Sequence, residues 1–215
     1  MTARAGELSP DVTADPTNWT NRLRGWFEGL VPPGQALPAR QPVYVASWIY
    51  VFGVLTLTSL VVVVASGCVL ALGGVAWWHV SSVGHFFNSV HLWSVEMFFG
   101  FMVVHLWGKF WMAAWRGKRA LTWITGIVLF GISIGTSFTG FLSQSNFSAQ
   151  WIGAEGKDGI NSIGAGAFFN VLNPGQMLLW HVVLLPLGVG LLTLLHIILV
   201  RRRGVVPPLD AELEG

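Results

Sequence analysis

Four long apolar runs, at residues 47–72, 88–112, 121–142 and 176–200, dominate the pattern of this chain. Each is long enough to cross a hydrocarbon layer about 30 Å thick as a helix rising about 1.5 Å per residue. No Asp, Glu, Lys or Arg interrupts residues 41–95, and the turn-prone Gly73-Gly74 closes the first run. The pattern predicts an all-α membrane protein built as a four-transmembrane-helix bundle. A short connection at 73–87 and a longer one at 143–175 fall on one side of it. Three regions follow: an amino-terminal segment at 1–46, the helical membrane domain at 47–203, and a Pro-containing, acidic tail at 204–215. Within the first, residues 21–30 can form a short amphipathic surface helix.

Composition agrees, since of 215 residues 53% are apolar, only 10% are charged and 12 are tryptophan. Charge adds an orientation. Arg4, Arg22, Arg24, Arg40, Lys109, Arg116, Lys118, Arg119 and Arg201-Arg202-Arg203 all flank one side of the spans, and Lys157 alone lies on the other. Because Lys and Arg favour the cytoplasmic flank, both termini are expected in the cytoplasm, with the chain in the plasma membrane. The amino-terminal segment lacks the apolar run of a cleaved signal, so the first span is expected to direct insertion. The net charge of +2 is then a topology signal, and no nucleic-acid partner is expected. Cys68 stands alone, which excludes a disulfide within the chain and predicts a small buried side chain in the first span.

Candidate chemistry rests on His91 with His105 and His181 with His196. At about 100° per residue, separations of 14 and 15 bring each pair to within about 40° and 60° of one helix face. The members of a pair lie about 21 to 22 Å apart along the axis, near the two margins of the hydrocarbon core. A single histidine on an apolar helix is ordinarily a hydrogen-bonded packing residue, but four matched in depth and face are costly without a function. Packed side by side, the two helices set His91 against His181 and His105 against His196, the geometry of two stacked bis-histidine b-haems. Gly53 and Gly67 in the first span, and Gly126 and Gly140 in the third, repeat the 14-residue interval and give the close backbone approach that a flat ligand needs. His79 and His85 lie in a connection, where interfacial roles are expected. Glu96 lies about 140° around the helix from His91, off the haem face; it is read as a contact to a partner subunit, with a proton-relay or quinone contact as the alternative.

From 26 to 208 the chain resembles the cytochrome b/b6 family, the split cytochrome b6 form most of all. The resemblance is carried by Trp26-Phe27-Glu28, the glycine pairs, His91-Leu92-Trp93-Ser94 through Val104-His105, and Arg119-Ala120-Leu121-Thr122-Trp123-Ile124-Thr125-Gly126. Thr139-Gly140-Phe141, His181 with Pro186, and Leu195-His196 leading to Arg201-Arg202-Arg203-Gly204 complete it. It implies a dihaem bundle with two non-covalent haem b groups: the low-potential one on His91 and His181 near the outer face, the high-potential one on His105 and His196 near the cytoplasm.

Several positions depart from the family. Asn88 and Gln176 replace arginines that ordinarily pair with haem propionates, so these two amides, Lys157 or a protonated propionate must compensate. Gln144-Ser145-Asn146 replaces the Pro-Trp-Gly element of the outer quinol site. Ser59 replaces the cysteine that tethers a further c-type haem in cytochrome b6, and the Pro-Glu-Trp-Tyr motif is absent. The resemblance therefore implies one subunit of a quinol–cytochrome c reductase type of complex, not catalytic alone. The expected partners are a subunit with the C-terminal half of cytochrome b, a Rieske iron–sulfur or c-type cytochrome subunit, and quinone. Two other readings stand beside it: an electron conduit linking another oxidoreductase to the quinone pool, and a haem-free membrane scaffold.

Overall fold

A computed structural model describes residues 19–36, 45 and 47–207, in which every regular element is helical. Residues 1–40 and 41–215 form separate units. In the first, α1 (Trp19–Leu30) and a single turn, α2 (Pro33–Ala36), are present. Trp19, Leu23, Trp26, Phe27 and Leu30 recur along α1 at the spacing of one helical stripe. Arg24 Nε donates to Glu28 Oε1 at 2.7 Å on the same helix, and this bond raises the Arg24 pKa above its usual value.

The second unit contains α3 (Val51–Gly73), α4 (Val75–Val80), α5 (Ser82–Trp111), α6 (Ala120–Ser143), α7 (Phe147–Ser162), α8 (Pro174–Leu179) and α9 (Leu185–Arg203). Four stretches are long and apolar enough to cross a membrane: Trp48–Gly73, Ser82–Trp111, Gly117–Ser143 and Pro174–Arg203. The second begins six residues earlier than the apolar pattern indicates, because the Ser81 side chain accepts from Gly84 N and starts the helix there. Much of the two connections is helical as well. Asn146 caps α7 by accepting from Ala149 N at 2.8 Å, after Ser145 has turned the chain at φ 55°.

In the spans many buried positions carry small hydroxyls, namely Ser59, Ser66, Ser94, Thr125, Ser133, Thr139 and Ser143, while Val54, Trp93, Trp107 and Leu187 face outward. This is the pattern of membrane helices, whose contacts depend on small residues and close packing rather than on hiding apolar bulk from lipid. The bundle resolves into two tight pairs: α3 packs along α5, and α6 along α9, with sparse contact between α5 and α6. Leu142, Val171 and the fully buried Met177 form a cluster with Phe138, Phe169 and Trp180 that fixes α8 against the end of α6.

The fourth span is not one regular helix. Trp180–Leu184 is a π turn, inserted between α8 and α9 directly before Pro186. Proline offers no N–H and its ring crowds the carbonyl four residues back, so the helix widens by one residue there. This changes the facing of the second histidine pair. With one residue absorbed by the bulge, the 15-residue step from His181 to His196 turns like a step of 14, and both pairs acquire the same twist of about 40°. Gly204 at φ 72° ends α9, and the following strand of chain is tied back when Tyr50 Oη donates to Val206 O at 2.7 Å.

Candidate functional site

Each of the four histidines lies against a glycine of the paired helix. A Cβ built on Gly53 would stand 3.1 Å from His105 Cε1, on Gly67 3.1 Å from His91 Cε1, on Gly126 3.4 Å from His196 Cε1, and on Gly140 2.5 Å from His181 Cε1. The glycine intervals repeat the histidine intervals because each glycine admits one imidazole. The close approach anticipated for a flat macrocycle is thus made by the imidazole rings.

Hydrogen bonds hold three of the four rings in one tautomer. His91 Nδ1 lies 3.0 Å from Val63 O and 3.0 Å from Ser66 Oγ, and His181 Nδ1 lies 2.8 Å from Thr136 O. A carbonyl only accepts, so in both rings Nδ1 carries the proton. Thr125 Oγ1 donates to Thr122 O at 2.8 Å and lies 2.9 Å from His196 Nδ1, which must then donate to the hydroxyl. In each case Nε2 keeps its lone pair, the arrangement in which a histidine binds metal while its second nitrogen is fixed by an outer hydrogen bond. His105 differs: its Nδ1 is buried and has no partner among the described residues.

The His91 and His181 rings face each other across the gap between the helix pairs, with centroids 6.1 Å apart and planes at 89°. Two metal–imidazole bonds of about 2.0–2.1 Å laid end to end, plus two ring radii of about 1.1 Å, span about 6.3 Å. His105 on α5 and His196 on α9 each stand against a glycine of the paired helix, Gly53 and Gly126. Among the described residues no group of three metal-ligating side chains occurs. A haem iron needs only two from the protein, because the porphyrin supplies the remaining four nitrogens.

A cavity of about 410 Å³ surrounds the His91/His181 pair; its walls include Gly67, Gly140, Asn88, Gln144, Ser133 and Trp78. Asn88 is therefore brought to the site. Gln176 is not among the lining residues: its Oε1 accepts from Asn170 N at 2.5 Å and its Nε2 donates to Phe168 O at 3.0 Å, which commits the amide to the preceding loop. Cys68 is exposed and lines the cavity beside Gly67 rather than being buried within the helix. Glu96, at the middle of α5, reaches the cavity rim, while Ser59 is buried elsewhere in α3. His79 and His85 lie on α4 and in the first turn of α5; His79 Nε2 meets Gln144 O at 3.1 Å and His85 Nε2 meets His79 O at 3.0 Å. Besides the Thr122 and Ser133 hydroxyls, two further side chains are buried donors without a partner among the described residues: Trp78 Nε1 on α4, and Arg119 Nε near the opposite end of the bundle. Apolar periodicity carries no signal for either.

Comparison with known proteins places this geometry in a family. The model for cytochrome b (N-terminal)/b6/petB matches residues 96–214, which include His105, His181 and His196. The chain belongs to the cytochrome b N-terminal/b6 family. Membership implies haem b binding in a multi-pass membrane protein. Among its relatives, the cytochrome bc complex cytochrome b subunit of Chlorobaculum thiosulfatiphilum is 30% identical over 146 residues, covering 61% of this chain and 33% of that protein. Cytochrome b6 of Oltmannsiellopsis viridis is 26% identical over 183 residues, covering 74% of this chain and 85% of that protein. In fold it is similar to a chain of a hyperthermophilic respiratory Complex III, with a TM-score of 0.66 at 20% identity over 86% of this chain and 53% of that one. The chain thus spans about a third of the first of these relatives and about half of the structural one.

Proposed function

We propose that this chain is the dihaem b-type electron-transfer subunit of a quinol-oxidising membrane complex, with one haem on His91 and His181 and a second on His105 and His196. The observation that carries the reading is the His91/His181 pair: two rings 6.1 Å apart across the gap, each with Nδ1 held by a carbonyl and each seated against a glycine. When bound by two imidazoles, haem iron has no open position and supplies outer-sphere one-electron transfer. The chain's own residues orient and tune. Val63 and Thr136 carbonyls fix the imidazoles of the first pair, and the Thr125 hydroxyl fixes His196. Arg119, Lys118 and Arg116 near the inner pair form, with Arg201-Arg202-Arg203, a basic rim that suits an anionic or semireduced quinone at the cytoplasmic side. Both termini are cytoplasmic in this reading, which puts the His91/His181 pair toward the outer face. The partners are a subunit supplying the C-terminal half of cytochrome b and an iron–sulfur or c-type cytochrome subunit.

A second reading keeps the haems and replaces the quinol-oxidation cycle with electron conduction between another oxidoreductase and the quinone pool. It is favoured by the Gln144-Ser145-Asn146 turn, where Ser145 at φ 55° leads directly into α7. A pyridine haemochrome assay on the purified chain tests the shared core of both readings. Two non-covalent haems per chain are expected, one lost on His91→Ala or His181→Ala and the other on His105→Ala or His196→Ala. One haem or none in the natural sequence refutes it. Quinol:cytochrome c reductase activity of the isolated native complex then separates the two readings.

A further inference from the structure

We infer that Trp78 is the donor that replaces an arginine at the outer haem, giving its indole N–H to a propionate carboxylate in a pocket without cations. The inference rests on the dihaem reading above.

Trp78 is only 7% exposed, its Nε1 has no hydrogen-bond partner among the described residues, and it lines the cavity that holds His91 and His181. An indole N–H is a donor only, and a buried donor left unpaired is rare in a folded protein because it has surrendered its bond to water. A group that accepts is therefore called for beside the Trp78 indole. Trp78 is held there by backbone, since a Cβ at Gly84 would stand 2.6 Å from Trp78 Cα, so α4 lies directly on the first turn of α5. Asn88 stands one turn before His91 on that helix and lines the same cavity, as does Gln144 from the end of α6.

No lysine or arginine lines this cavity, and its one acidic wall residue is Glu96. Gln176 is committed to the 168–170 loop. The donors left to meet a carboxylate are neutral, and two of them are buried without a partner among the described residues, Trp78 Nε1 and Ser133 Oγ; of these only the indole N–H is a donor that cannot also accept. Toward the other end of the bundle the buried, unpaired donors include a cationic one, Arg119 Nε. The two ends thus differ in kind: a fixed cation at one and a fixed dipole at the other. Haem carries its two carboxylates on one edge, so a bound haem presents acceptors that match Trp78.

The test uses the full chain in detergent, loaded with iron protoporphyrin IX or with its dimethyl ester, which lacks the anionic carboxylates. Loss of porphyrin from the His91/His181 site is followed by transfer to apomyoglobin. Trp78→Phe keeps the aromatic packing and removes the N–H. It is expected to speed loss of iron protoporphyrin IX from that site about tenfold, the effect of deleting a hydrogen bond to a charged group, and to leave loss of the ester unchanged. Trp78→His, which restores a ring N–H, is expected to recover most of the difference. Equal acceleration for both porphyrins assigns Trp78 to packing and overturns the inference, and so does no acceleration for either. If Trp78→Phe fails to fold, the indole N–H resonance of Trp78 in the natural chain serves instead: it is expected to differ between the two porphyrins, and identical resonances overturn the inference. A natural chain that holds no porphyrin at His91 and His181 refutes the dihaem reading and this inference together. One that holds both porphyrins equally well in the natural and Phe forms refutes this inference alone.

Discussion

Four glycine–imidazole contacts set the tolerances of the site, and they differ enough to be ranked. The Gly140 contact is the tightest, with an added Cβ meeting His181 Cε1 at 2.5 Å and Nδ1 at 2.8 Å. The ring cannot withdraw without giving up Thr136 O. Gly140→Ala is therefore expected to weaken the haem at His91/His181 by about 10- to 100-fold, the usual overpacking cost expressed as binding. Gly135→Ala, on the same helix with open space around the added carbon, is expected to leave haem content unchanged. Haem-to-protein ratios of the two variants decide it: equal ratios would show that the ring has another place to go. At Gly126 the added carbon lies 3.4 Å from His196, ordinary contact, so alanine there is expected to be the mildest of the four.

The π turn sets the register of the fourth span. By absorbing one residue before Pro186 it gives His181 and His196 the twist of a 14-residue step, matching His91 and His105. Pro186→Ala permits a regular helix through Trp180–Leu184, which rotates His181 by about 100° relative to His196. Loss of the haem at His91/His181, with the other retained, is the expected result by optical redox titration. Deleting Val183 in the Pro186→Ala chain removes the inserted residue and is expected to restore it. Retention of both haems in Pro186→Ala alone would show that packing of Met177 and Trp180 holds the bulge without proline.

Across the whole molecule, the division of basic residues predicts which end of the bundle faces the cytoplasm. Single cysteines in a Cys68→Ser background test it: Ser162→Cys at the end of α7, and Lys118→Cys in the turn before α6, both at exposed positions. With both termini cytoplasmic, an impermeant maleimide added to intact cells is expected to label position 162 and not 118. The reverse pattern would place the His91/His181 pair at the cytoplasmic face and with it the neutral, Trp78-lined end of the cavity.

The four spans, the placement of the four histidines along two of them and the family were legible in the sequence, because apolar length and helical periodicity are properties of one segment read along its own axis. Asn88 was legible for the same reason, since it stands a turn from His91 on one helix. What depended on a second helix was not. The pairing of Gly67 with His91 and Gly140 with His181, the carbonyls of Val63 and Thr136 that choose the tautomer, and the commitment of Gln176 to its loop all arise from which helices pack together and at what rotation. Pro186 stood in the sequence, but whether it would kink, end or widen its helix was decided by the packing around it. Trp78 in a short connection carries no periodic signal, and only the docking of α4 on α5 buries the side chain and its indole N–H beside the cavity. Spacing determined where ligands can stand; tertiary contact decided which atoms hold them and which donors are left to meet a cofactor.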